Sequence, residues 1–227
     1  MKKFVISLGG SVICPKEIDT KYLRRFYQFI KREVKKGYKF IIVAGGGHTA
    51  RSYQKAISKI KKVSNEDKDW LGIEATKLNA LLLKTILKKE SHPIIFDKRF
   101  KIKNFGKYPI IIGSGWKPGW STDFVTVQIA LDFKIKKVIL LGKPAYVYTA
   151  NPDKFKNAKP IKKMRWKDYL KMIPKEWIPG LHAPVDPIAA KLAQKEKIPV
   201  IVSSGKDLKN FEKILKGKKF KGTILDD

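Results

Sequence analysis

The feature that most constrains the fold is a repeated junction. A short, unbroken apolar run ends at glycine and gives way to helical spacing. Phe4–Leu8 ends at Gly9-Gly10, Phe40–Val43 runs through Ala44 into Gly45-Gly46-Gly47, and Ile110–Ile112 ends at Gly113. A strand whose successive residues are all apolar is covered on both faces, as in parallel sheets flanked by helices. Helical patterns fill the gaps. Leu23, Phe26, Tyr27, Ile30 and Val34 follow an N-cap at Asp19 or Thr20 and stop at Gly37. Ala50, Tyr53, Ala56, Ile57 and Ile60 mark a second helix, residues 69–87 a third, and residues 122–133 a fourth. Further strands are predicted at 93–96, 138–141, 200–202 and 222–225, and helices at 187–195 and 208–215. A short extended piece falls at 146–149, before a polar loop over 151–160. The alternation predicts an α/β fold with a mainly parallel central sheet and helices on both faces.

The composition narrows the class. Hydrophobic residues make up 43% of 227, enough for a core, and a single cysteine excludes a disulfide framework. No apolar run approaches the roughly 18–20 residues of a spanning helix. Lys2-Lys3 followed by an apolar stretch is reminiscent of a short leader, but Gly9-Gly10 interrupts it, and Ile13 rather than a small residue precedes Cys14. A soluble, cytoplasmic protein is expected. Lys plus Arg number 50 against 20 Asp plus Glu, a formal charge of +30. The lysines are spread over nearly the whole chain and form no nucleic-acid motif, so they read as solvated surface that would still draw phosphates inward.

The chemistry sits at the glycine junctions. In open α/β sheets, ligands bind beyond the carboxyl ends of the strands. Glycine there lets backbone N–H groups approach phosphate oxygens, and a helix N-terminus adds a favourable dipole. Arg51 falls in the first turns of the helix after Gly45-Gly46-Gly47, within reach of such a phosphate. The P-loop pattern is absent. Gly45 to Ala50 also fits the loose dinucleotide pattern G-x-G-x-x-A, with Asp67 and Asp69 about 20 residues on. It follows the second strand rather than the first, and an oxidoreductase is set aside. A third turn runs from Gly113 to Asp123, where Ser121 or Thr122 can cap a helix and Asp123 would need a metal, Lys or Arg beside it.

Together these segments resemble the amino acid kinase family and, within it, the archaeal uridylate kinases, over nearly the whole chain. Ser7-Leu8-Gly9-Gly10-Ser11 and Gly45 through Arg51 match the family's first two turns. Asp69 to Ala80 is similar to its D-x-x-G-I-x-A-T-R-L-N-A helix, and Pro118 to Asp123 to its P-G-x-T-T-D turn. Val185 to Lys191 resembles the D-P-L-A-A-K segment, and Gly222-Thr223-Ile224 the closing strand. The resemblance implies a three-layer sandwich of the carbamate kinase-like type in one domain. About 1–135 would bind the acceptor and about 136–227 would bind ATP.

It also implies phosphoryl transfer from ATP with Mg²⁺ to UMP, in a homo-oligomer, hexamer or dimer. Ser7, Gly9, Gly10, Ser11, Gly47 and Arg51 would face ATP phosphates, and Lys143, Tyr148 and Asn151 the rest of ATP. Gly46, Asp69, Trp116, Lys117, Pro118, Gly119, Trp120, Ser121 and Thr122 would surround UMP, with Asp69 on the ribose. Asp123, Arg51 and Ser11 would act at the reaction centre, and no resident metal site is expected.

Some positions depart from the pattern. Ser7 stands where many amino acid kinases have Lys, and the archaeal uridylate kinases that the chain resembles also lack that Lys. Arg51, Lys117 or Lys191 must then supply positive charge. Ala145, Tyr146 and Asn151 stand where the family usually has Asp, Gly and Asp around the ATP nucleoside. Alternatives therefore stay open: a same-fold kinase for isopentenyl phosphate or a furan-methyl phosphate, or a nucleotide-binding relative without catalysis. Asp186 reads either as the cap of the helix at Pro187 or as an active-site residue. Cys14 reads as core, Leu78–Leu83 as core or subunit contact, Trp166, Tyr169 and Trp177 as helix anchors, and His182 as structural. His48 is a candidate phosphate contact.

Overall fold

The computed structural model describes residues 2–176, 178 and 183–227. Its centre is a seven-stranded sheet in the order β3-β2-β1-β4-β8-β9-β7. The strands are β1 (Lys3–Leu8), β2 (Lys39–Ala44), β3 (Ile110–Gly113), β4 (Val138–Gly142), β7 (Lys163–Arg165), β8 (Val200–Ser204) and β9 (Thr223–Asp226). β3 through β8 are parallel, β9 is antiparallel to β8, and β7 runs parallel to β9. β5 (Val147–Tyr148) and β6 (Pro160–Ile161) form a separate antiparallel pair.

The unbroken apolar runs resolve into two covered faces. Phe4, Ile6 and Leu8 of β1 point into one core, with α2 (Thr20–Lys35), α4 (Asn65–Ile86) and α8 (Leu208–Leu215). Val5, Ile41 and Val43 point into the other, with α5 (Thr122–Asp132), α6 (Trp166–Met172) and α7 (Pro187–Lys195). Each fully buried Ile or Val contributes on the order of 1.5–3 kcal/mol. α3 (Gly47–Ile60) packs outside α4, and α1 (Gly10–Ile13) is a single turn after β1. This is the expected three-layer arrangement.

Local chemistry explains the boundaries. Asp19 caps α2 by accepting the Tyr22 N–H at 2.8 Å, and Gly37, at φ +84°, turns the chain out of it. α4 begins at Asn65, four residues before the 69–87 stretch, because Ser64 and Asp67 form a capping box. Asp67 is thereby spent on the helix end. Residues 93–96 do not form a strand; Ser91 and Phe96 make only isolated bridges to β3. β6, β7 and α6 were not foreseen. Trp166 and Tyr169 are fully buried helix anchors as expected, whereas Trp177 and His182 lie outside the described residues.

Chain order fixes where a ligand can sit. From β1 the chain moves outward to β2 and β3, then returns to place β4 on the other side of β1. The connections after β1 and β4 lead to opposite sides of the sheet at that reversal, the place where open α/β sheets form a ligand crevice beyond the strands' carboxyl ends.

Candidate active site

Two turns meet at this crevice. A Cβ on Gly10 would lie 1.9 Å from the Gly47 nitrogen, and one on Gly47, at φ +65°, would lie 2.3 Å from the Gly10 oxygen. Only glycine permits this contact between the loops after β1 and β2. Gly9 donates its N–H to Leu141 O at 2.9 Å and Gly45 donates to Leu8 O at 2.9 Å. The N–H groups of Gly10, Ser11, Gly46 and Gly47 have no hydrogen-bond acceptor among the described residues. Gly46 and Gly47 open the 14-residue α3, so its dipole adds to their donors. The Gly9 amide is taken by Leu141, and the residue serves the close packing of β1 on β4.

One face of α4 holds these turns together. Asp69, Thr76 and Asn79 recur at near-helical intervals. Asp69 accepts the Gly119 N–H at 2.7 Å. Thr76 Oγ1 accepts the Gly115 N–H at 2.8 Å and donates to Ile73 O at 2.6 Å. Asn79 Nδ2 donates to Gly45 O at 2.8 Å and Gly46 O at 3.2 Å. Thr76 and Asn79 were not singled out as functional, although the motif containing them was the available signal. Burial raises the Asp69 carboxyl to about 6, against the pull of the Gly119 N–H.

The third turn delivers carboxylates. Ser121 caps α5 by accepting the Phe124 N–H at 2.9 Å, and its hydroxyl donates to Asp186. Asp186 also caps α7, accepting the Ile188 and Ala189 N–H groups at 3.0 Å each. Both readings of Asp186, cap and site residue, hold geometrically. Tyr169 fixes this segment through Val185, donating to its carbonyl at 2.7 Å and accepting its N–H at 2.8 Å. Ser7 donates to Asp123 at 2.9 Å. Burial and the proximity of Asp186 raise Asp123, and burial raises Asp186. Neither carboxyl has a Lys or Arg within ion-pair distance among the described residues.

Other expected residues divide. Trp116 is a core residue: its ring packs on Phe96 and its Nε1 donates to Phe96 O at 3.0 Å. The other neighbour of the indole is Trp120, with ring centroids 6.0 Å apart. Trp120 is half-buried, with the Lys117 ammonium 4.4 Å from its ring centroid. Pro118 and Thr122 are half-buried at the same turn. Arg51 is half-buried on α3, without a carboxylate partner among the described residues. Lys191 points elsewhere, donating to Lys175 O at 3.1 Å. His48 is exposed at the glycine turn, and Cys14 is buried.

On the ATP side, Tyr148 packs edge-on to Tyr146. Asn151 accepts the Asp153 N–H at 2.9 Å in a local turn, and Lys143 lies 3.4 Å from Asp153. Asp153 thus places a carboxylate on the loop where Asn151 replaces one. Thr223 of the closing strand anchors the hairpin, accepting the Val147 N–H at 2.8 Å and donating to Ile161 O.

Free amide donors at a switch-point crevice, beside the half-buried Asp123 and the buried Asp186, define a phosphate-handling α/β protein. The model of the amino acid kinase family matches residues 2–204, and the chain belongs to that family. It is 32% identical over 227 residues to a uridylate kinase of Thermoplasma acidophilum, covering all of this chain and 97% of that one. It is 32% identical to a uridylate kinase of Methanocaldococcus jannaschii, covering 99% of each. Among solved structures, uridylate kinase from Archaeoglobus fulgidus superposes with a TM-score of 0.80 at 27% identity, over 99% of this chain and all of that one. A UMP kinase from Bacillus anthracis shares the fold with a TM-score of 0.80 at 21% identity.

Proposed function

We propose that the chain transfers the γ-phosphoryl group of ATP to the phosphate of UMP, giving UDP and ADP. The carrying observation is the pair of glycine turns with their free N–H groups, braced by α4 and facing the Asp123–Asp186 pair. The archaeal relatives named uridylate kinase point to the same acceptor.

The transfer forms one bond, from a UMP phosphate oxygen to the γ-phosphorus, and breaks the bond from that phosphorus to the β–γ bridging oxygen, which leaves with ADP. The acceptor is already largely a dianion at neutral pH, so no general base is required. Positioning and charge stabilisation dominate such reactions. The amides of Gly10, Ser11, Gly46 and Gly47 would donate to oxygens of the transferring group, with Arg51 beside them. Asp69, Gly119 and Trp120 would hold the acceptor, with Asp69 accepting from the ribose. Lys143, Tyr148 and Asn151 would border the donor nucleoside in the 136–227 part.

A half-buried and a buried carboxylate, neither with a basic partner among the described residues, fit a divalent cation. Two fall short of a protein cage, which suits Mg²⁺ that takes its other ligands from phosphates and water. Asp123 and Asp186 would hold it on the protein side. When bound, it would neutralise charge on the phosphates.

Tyr53, Ile60, Leu78 and Leu81 are exposed on α3 and α4, which fits pairing of copies through that face. Among the described residues no helix is long and apolar enough to cross a membrane. The single, buried, unpaired Cys14 suits the reducing cytoplasm.

The test is ADP release from ATP and Mg²⁺ with UMP, CMP, AMP, GMP or isopentenyl phosphate, using Asp123→Ala as control. Turnover confined to UMP and lost in the control is the expected result. Turnover with isopentenyl phosphate instead would keep the chemistry and replace the acceptor. No turnover with any acceptor would remove the assignment.

A further inference from the structure

The sheet's opposite pole carries a second basic feature, away from the glycine turns. β1 opens at Lys3 and β2 at Lys39, which are partners in the parallel ladder. Their ammoniums lie 5.9 and 5.4 Å from the centroid of one ring, Phe105. With Lys103, Asn104, Asp132 and Lys134 they line a hollow of about 370 Å³. None of these four lysines has a carboxylate within ion-pair distance among the described residues.

The acid in the hollow, Asp132, is already engaged. Arg99 donates to it from Nε at 3.0 Å and from a terminal nitrogen at 2.8 Å, and Gln128 donates at 3.1 Å. Asn104 accepts the Gly106 N–H through Oδ1 at 2.8 Å, and its Nδ2 has no acceptor among the described residues. Four ammoniums and an amide donor therefore share a concavity without a free counter-charge. Like charges gathered this way raise the local potential, and a bound anion relieves it.

We propose that this hollow binds a small polyphosphate anion, either inorganic or the di- or triphosphate chain of a nucleotide. Its volume is at the lower end of small-molecule sites, roughly 300–1,000 Å³, which suits a phosphate chain rather than a polynucleotide. The site is separate from the glycine turns: β1 and β2 lie between them, each six residues long. The proposal does not depend on the kinase assignment.

Lysine-acylation footprinting of the full chain tests it, with tripolyphosphate and a nucleoside triphosphate as parallel probes. Selective protection of Lys3, Lys39, Lys103 and Lys134, relative to exposed lysines such as Lys209, is expected. Equal protection by both probes assigns the phosphate chain alone, and stronger protection by the nucleotide adds a nucleoside contact; either supports the site. In Lys39→Ala/Lys103→Ala, affinity at this site is expected to fall about tenfold. Protection spread evenly over all lysines would mean bulk charge only and would overturn the proposal. So would a single-stranded oligonucleotide protecting these lysines at lower concentration than tripolyphosphate, which would make the face a polynucleotide surface. The footprint on the unsubstituted chain stands even if the double variant fails to fold.

Discussion

Asp69 shows how one side chain can carry structure and binding together. One oxygen of its carboxylate takes the Gly119 N–H at 2.7 Å, and burial raises the group from 3.8 to about 6. The folded state thus holds a proton that the unfolded chain releases near pH 4. Its contribution to stability is present below that pH and is lost as pH rises through 6. Binding runs the other way, because the ionised group is the stronger acceptor for both the Gly119 N–H and a ribose hydroxyl. KM for UMP is expected to fall as pH rises through 6, and the fall should be shallower in Asp69→Asn, where only the acceptor phosphate still titrates at about 6. That variant should raise KM about tenfold, the worth of one hydrogen bond to a charged group, with kcat nearly unchanged. A kcat loss at constant KM would remove Asp69 from the acceptor site. Asp123→Asn should behave differently. It keeps a partner for Ser7 and relieves the repulsion with Asp186, so the chain should melt higher near pH 8. Turnover should fall on the order of 10²–10³-fold, as expected when a group organising transition-state charge is removed. Unchanged turnover would leave the pair with a purely structural role.

At the scale of elements, α4 decides whether the crevice exists. Asn79, 2% exposed, ties both carbonyls of the second glycine turn to that helix. Asn79→Ala removes the donor to the buried Gly45 carbonyl and leaves Gly46 O with only the Ala50 N–H at 3.4 Å, a cost of about 1–3 kcal/mol for the buried group left unpaired. The expected signature is a lower melting temperature together with weaker binding of both nucleotides, since the turns they share lose their brace. Weaker binding of UMP alone would confine Asn79 to the acceptor side. The helix itself was legible because apolar spacing and a capping pattern are local. Its bracing role was not, because Gly45 and Gly115 are distant from their partners in sequence and only the fold brings them together. The same limit explains the misread strand at 93–96, whose apolar residues pack on β3 without a ladder. It also explains Trp116, whose place beside Phe96 depends on that packing. β6, β7 and α6 were missed because their segments are short and lysine-rich, with little periodicity to read.

The whole molecule joins the two proposed functional parts through one sheet. β1, from the acceptor part, pairs with β4, from the ATP part, over Val5 to Leu8. Ser121 of the first part donates to Asp186 of the second, and Gly9 donates to Leu141. Each half also covers a face of strands belonging to the other, since α8 joins α2 and α4 over one core and α5 joins α7 over the second. Neither part can leave without opening a parallel ladder and exposing both cores. The 1–135 and 136–227 parts should therefore be functional divisions of a single cooperative unit. Scanning calorimetry of the full chain should show one transition, with calorimetric and van't Hoff enthalpies equal. The charge of +30 makes the same experiment informative about salt. Self-repulsion among lysines opposes the compact state and is screened over roughly 10 Å at 0.1 M ionic strength. The single transition should accordingly move upward as salt increases. Two transitions that respond differently to salt would show that the β1–β4 seam is weaker than its register and shared cores imply, and the parts would then have to be treated as separate domains.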